Sequence, residues 1–139
     1  MTFILALLAC GADLPEGWED AQPVDDFTQS DCDGSPYDTG WSEAMTASAA
    51  DPGIRVVGEP VHFRCAQDVE AFYRTASGAI DVLIQPVDMN PKAVAGCDCL
   101  YRVEAGIPEA PPAEVSLYRR WDNINEPNEP VLIGTATVP

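Results

Sequence analysis

The first 54 residues contain no lysine or arginine, and the whole chain of 139 carries 7 basic residues against 23 acidic ones. A formal net charge of -16 argues against sequence-independent binding to nucleic acid, because phosphate affinity comes from neutralisation by Lys and Arg. Charge attraction to an anionic membrane is excluded on the same ground. Apolar runs long enough to cross a bilayer are missing: Phe3 to Ala9 is apolar throughout, but a spanning helix needs ~20 such residues. Histidine occurs once. No GxSxG elbow, HExxH pair or phosphate-binding loop is present, so nucleophilic and metal-dependent hydrolysis lack a recognisable starting point. Helical periodicity is also scarce.

What is present is unevenly distributed. Residues 1 to 54 hold 11 of the acidic residues and the remaining 85 hold 12 together with every base, so the chain has two parts of different physical character. Its length suits one domain, and about 100 residues suffice for a usable core once loose ends are set aside. Carboxylates are plentiful enough to offer a glycosidase-like pair, Asp81 with Asp88 or Glu104. Acids this common mainly keep a surface soluble, and the chain is read as non-catalytic and free of cofactors.

Five cysteines are many for such a chain, and an odd count leaves one for a separate task. If Cys10 is that one, Cys32, Cys65, Cys97 and Cys99 remain to form two disulfides, the usage of secreted rather than reduced cytoplasmic proteins. Cys10 ends the segment Leu7-Leu8-Ala9-Cys10 behind the apolar run. This segment resembles the lipobox of bacterial lipoproteins, with an aliphatic residue three positions before the cysteine and a small residue immediately before it. The resemblance covers about ten residues. It implies a signal peptide over residues 1–9, cleavage before Cys10, and a diacylglycerol thioether on that thiol. Two acyl chains at ~0.8 kcal/mol per buried methylene hold a protein stably on a membrane, where one is marginal. Met1-Thr2-Phe3 lacks the Lys or Arg of a positive n-region, which points to a start upstream of Met1. The competing reading makes the apolar run a leader or edge strand of the domain and Cys10 a buried thiol.

Residues 10–40 are acidic and punctuated by Pro and Gly, and they read as a flexible tether pinned at its far end by Cys32. Within it, DCDGSPYD places Asp31, Asp33 and Asp38 around Gly34, a pattern able to wrap oxygen ligands around calcium. It lacks the later residues and terminal Glu of an EF-hand loop. A solvated Asx-type turn beside a disulfide explains it without an ion.

Beyond residue 40, short apolar runs are separated by Gly, Pro, Asn or Asp about every 8–12 residues, which predicts an all-β fold. We expect a small antiparallel β-sandwich of immunoglobulin-like size over 41–139, stapled by disulfides and preceded by the irregular acidic arm. Ile54 to Val57 reads as a short strand closed by Gly58 and Pro60, and Val61, Phe63 and Cys65 alternate with His62 and Arg64. Segment 67–76 fits a helix through Val69, Phe72, Tyr73 and Ala76, or a strand with Val69, Ala71 and Tyr73 on one side. Strand-like neighbours and a Ser77-Gly78 turn favour the strand. Ala79 to Val87 reads as a strand buried on both faces. CDCLYRVEAGI shows the clearest alternation and places both Cys97 and Cys99 on the core face. Val115–Trp121 and Pro130–Val138 complete a predicted three-stranded meander, with DNINEPNE as the last connection. A CxC leading into an aromatic-containing strand after an earlier lone Cys resembles uncharacterised exported bacterial β domains over about residues 54 to 120. That likeness implies export and no known activity.

Two same-face strand cysteines sit ~6.5 Å apart with parallel side chains, so Cys97 and Cys99 should not bond to each other. The expected pairs join Cys65 to one of them, across the sandwich, and Cys32 to the other, clipping the arm to the body. A competing set, His62, Cys65, Cys97 and Cys99, has the chemistry of a zinc or copper site, but His62 falls on the opposite strand face from Cys65.

Function is therefore expected to be that of an exported cell-envelope protein, held on the membrane through Cys10, with a structural or adhesive domain contacting envelope proteins or glycans. The alternative is a small-ligand or peptide binding module using Tyr118, Arg119, Arg120 and Trp121, the basic and aromatic cluster.

Overall fold

The computed structural model describes residues 12–89, 96–122 and 128–139. Cys10 and the 1–9 leader lie outside these residues, as does most of the DNINEPNE connection. Nine strands are formed: β1 Gln22–Pro23, β2 Asp26–Gln29, β3 Met45–Ala49, β4 Ile54–Arg64, β5 Val69–Ala76, β6 Ala79–Pro86, β7 Asp98–Ile107, β8 Ala113–Arg119 and β9 Val131–Val138. They make two sheets, a five-stranded one ordered β1-β5-β6-β8-β9 and a four-stranded one ordered β2-β7-β4-β3. The all-β disulfide-stapled sandwich read from the sequence is the fold observed.

Alternation builds the core. Val56, Val61 and Phe63 of β4 and Val103, Ala105 and Ile107 of β7 meet Val69, Ala71 and Tyr73 of β5, Ile80, Val82 and Ile84 of β6, and Val115 and Leu117 of β8. The strand reading of 67–76 holds, with the three side chains named for it facing the core. Ser77 and Gly78 join β5 to β6 with φ of 49° and 80°, as a two-residue type I′ hairpin turn requires.

Several expectations change. The strand at Ile54 does not close at Gly58. It continues to Arg64, with a register shift between Gly58 and Val61 that accommodates Pro60. A Cβ on Gly58 would come within 3.0 Å of Val103 and 3.1 Å of Leu117, so the bare backbone sits where the sheets approach each other. The meander does not form, because β7 pairs with β2 and β4 in one sheet while β8 and β9 pair in the other. The proline-rich link after β7 carries the chain between sheets. β8 instead lies parallel to β6, the one parallel pairing among otherwise antiparallel strands.

The expected tether is packed. It supplies β1 and β2, and Trp18 and Val24 are buried. Trp18 lies over the outer face of the five-stranded sheet, where its ring packs against Tyr118 in a T-shaped arrangement at 5.5 Å and carries the Arg74 guanidinium 3.9 Å from its centroid. This cover explains why Val82, Leu83 and Ile84 form an unbroken apolar run at the centre of β6. Leu83 faces away from the core side chains of β6 and is nonetheless fully buried.

Candidate functional site

Four cysteines gather at one end of the sandwich. Cys65 follows the last residue of β4, Cys97 precedes the first of β7, and Cys99 lies one pair into β7 opposite Phe63. Disulfides join Cys32 to Cys99 and Cys65 to Cys97, with Cα–Cα separations of 5.5 Å and 5.4 Å. Each CxC cysteine therefore bonds elsewhere, as strand geometry required. Neither bridge crosses the sandwich: β4, β7 and the segment after β2 are neighbours in the four-stranded sheet, so the clip and the supposed cross-link both lie within it. Cys99 faces the core as read, but Cys97 is exposed, because it stands just before the strand begins.

The sulfurs of Cys65 and Cys99 are 3.0 Å apart, and those of Cys65, Cys97 and Cys99 all lie within 4.8 Å of one another. That grouping resembles a ligand set, yet its thiols are consumed by bridges and no thiolate is left to bind a metal. His62 is not part of it. Its ring lies outward, as the strand alternation indicated, with Nε2 3.4 Å from Asp98 Oδ1. The aspartates proposed for calcium do not form a group either: among the described residues the three-sulfur cluster is the one set of metal-capable side chains brought this close.

Around His62 a second arrangement appears that the sequence reading missed. The Trp41 and Trp121 rings meet the imidazole edge-on, with centroids at 5.9 Å and 4.9 Å. Trp121 Nε1 donates to the His62 carbonyl at 2.8 Å, and Trp41 Nε1 donates to the Pro36 carbonyl at 2.7 Å. Arg119 lies 3.8 Å over the Trp121 ring and is held by Glu43 through Nε at 3.1 Å and Nη2 at 2.5 Å. Glu43 also accepts the His62 backbone N–H at 3.1 Å. Tyr37 donates its hydroxyl to Asp98 at 2.7 Å, and that bond, together with the carboxylate charge, raises the phenol above its ordinary pKa. The groups meeting the imidazole are thus a carboxylate and two indole rings packed at steep angles to it.

The basic-aromatic cluster proposed from the sequence is split by the strand. Arg119 and Trp121 continue the core-facing side of β8 into the His62 arrangement, while Tyr118 and Arg120 turn to the outer side beneath the arm. Both arginines are buried and engaged. Arg120 donates to the carbonyls of Asp13 at 2.5 Å and Asn128 at 2.6 Å and to the Gln85 side chain at 3.1 Å; burial lowers its pKa, with Asp13 opposing. The paired carboxylates do not converge. Asp81 binds Arg74 on the outer face of one sheet, Glu104 binds Arg55 and Arg102 on the other, and Asp88 lies past the far end of β6, roughly 23 Å along the chain from Asp81.

No family model matches the chain, and neither a curated protein nor a solved structure matches it. Among the described residues no helix is long and apolar enough to cross a membrane.

Proposed function

We propose that this chain is an exported cell-envelope protein anchored through acyl chains on Cys10, whose sandwich acts by contact with envelope proteins or glycans rather than by catalysis. One observation carries the reading: all four body cysteines are spent in two disulfides, which indicates an oxidising, extracytoplasmic setting and leaves Cys10 as the odd thiol behind an apolar leader. Charge supports it too, since a net -16 keeps a surface domain soluble and away from anionic polymers. The test is incorporation of labelled palmitate in a bacterial host. Label should enter the wild-type chain and be absent from Cys10→Ala, which should also leave the membrane fraction; equal labelling of both chains rejects the anchor.

A second reading, a small-ligand or peptide binding module, gains from the His62 surface, where Trp41, Trp121 and the exposed Tyr37 lie beside Asp98, which pairs with His62, and Arg119, which pairs with Glu43. Arg119 and Trp121 are the residues it shares with the cluster first considered. Titration of the folded domain with short glycans and peptides, followed by tryptophan emission, tests it: a saturable change lost in Trp121→Leu supports a site there.

A further inference from the structure

The end of the sandwich that holds the disulfides also receives the N-terminal chain. The Asp13 carbonyl is fixed by Arg120 at the end of β8 and by Gln85 near the end of β6, at 2.5 Å and 3.1 Å. Cys10 stands three residues before Asp13, and three extended residues span at most about 11 Å. Whatever is attached to Cys10 is therefore held within that distance of this end, and no long spacer intervenes.

The same end gathers exposed apolar side chains. The large hydrophobic residues that the described chain leaves exposed are Tyr37 at 74%, Val87 at 56%, Leu132 at 52% and Val131 at 47%. Val87 follows the last residue of β6. Val131 and Leu132 open β9 opposite Arg119 and Tyr118. Tyr37 binds Asp98, the first residue of β7 and the partner of Arg64 at the end of β4. The opposite end carries the Ser77-Gly78 turn, the Ala50 to Gly53 turn and the Ala113–Val138 pair, and none of the four.

We infer that this end is a lipid-contact surface, on which the domain rests directly against the bilayer interface instead of standing off it on a tether. The inference rests on the Cys10 anchor proposed above and adds an orientation to it. Isolated exposed aliphatics need no explanation; their coincidence with the point of chain entry does. Tyr37, with Trp41 and Trp121 nearby, belongs to the side-chain types that settle at headgroup depth. The acids at the same end, among them Asp13, Asp31, Asp33, Asp88, Asp98 and Glu129, oppose contact with anionic lipid, so the surface fits a zwitterionic interface and its contact weakens as anionic lipid is added.

The experiment uses the acylated full chain reconstituted in phosphatidylcholine vesicles with bromine placed shallowly on the acyl chains. Quenching of tryptophan emission is compared between Leu132→Trp and Thr75→Trp, each corrected for the native tryptophans. At least twofold stronger quenching at position 132 is expected. Amide exchange of the unsubstituted chain gives an independent readout: residues 131–133 should exchange several-fold more slowly on vesicles than in the unacylated Cys10→Ser chain, with residues 77–79 unchanged. Equal quenching and equal exchange at both ends, on a chain whose Cys10 is shown by mass to be acylated, overturns the contact surface and leaves the anchor standing. A purified chain with an unmodified Cys10 overturns both.

Discussion

The buried guanidinium of Arg120 donates to the main-chain carbonyl of Asp13, a residue 107 positions earlier, at 2.5 Å. This bond ties the start of the acidic arm to the end of β8. Gln85, fully buried, donates to the same carbonyl and accepts from Arg120, so three groups share one polar contact beneath an otherwise apolar cover. With Trp18 seated on Tyr118, the arm becomes part of the fold rather than a leash.

Replacing Arg120 by Met should therefore release the arm while keeping most of the side-chain volume. Loss of charged hydrogen bonds to two carbonyls and a buried amide is expected to cost roughly 2–4 kcal/mol. Limited proteolysis and amide exchange should show residues 12–18 opening first, ahead of β5 and β6. Unchanged exchange across 12–18 would mean that Trp18 alone holds the arm.

The disulfides close loops of different length, with sequence separations of 67 for Cys32–Cys99 and 32 for Cys65–Cys97. The chain-entropy model gives about 4 kcal/mol for each, slightly more for the longer. Paired replacement by Ala should lower stability by that amount in chemical denaturation. Cys32→Ala/Cys99→Ala is expected to be the more damaging pair, because Cys99 is also buried in the core.

Burial pushes the Glu70 carboxyl above its ordinary value, with the Gln85 side chain opposing. The folded state thus holds this proton more tightly than the unfolded chain. As pH rises through the ordinary carboxylate range toward the folded-state value, the unfolded chain releases its proton first and folding stability falls. Glu70→Gln should remove that loss, so its advantage over the wild type grows as pH rises above the ordinary carboxylate value, until the folded-state carboxyl also ionises. A stability difference between the two chains that stays constant as pH rises would contradict it.

Gly78 has φ of 80° and nothing within 4 Å of the position a Cβ would take. Its role is conformational, not steric. Gly78→Ala should cost about 1–2 kcal/mol from the left-handed backbone alone, and Ser77→Asn should be neutral or slightly stabilising, since Asn suits the first position of this turn.

Much of the fold was legible because period-2 alternation is a local signal. Val69, Ala71 and Tyr73 and the core-facing run from Cys99 to Ile107 followed from spacing along one strand, whereas Cys97, read onto the same face as Cys99, stands exposed before the strand begins. Pairing is not local, and the meander failed there: nothing in the sequence of β7 says that its partners are β2 and β4. The His62 surface was hidden for the same reason, since Tyr37, Trp41, Asp98 and Trp121 meet only once register is set. In the arm, Asp and Pro content outweighed two apolar positions, Trp18 and Val24, that a sheet edge and an open outer face were able to bury. Arg119 and Arg120 were visible as a pair, but strand geometry sends adjacent residues to opposite faces.

Sulfur chemistry decides the matter most directly. Native protein taken from the membrane fraction should be alkylated without reductant, then with it, and weighed intact. The expected species starts at Cys10, carries diacylglycerol there, takes up no alkylating agent before reduction and four equivalents after it. A soluble chain that retains Met1 and reacts at five free thiols would contradict both the anchor and the oxidising setting.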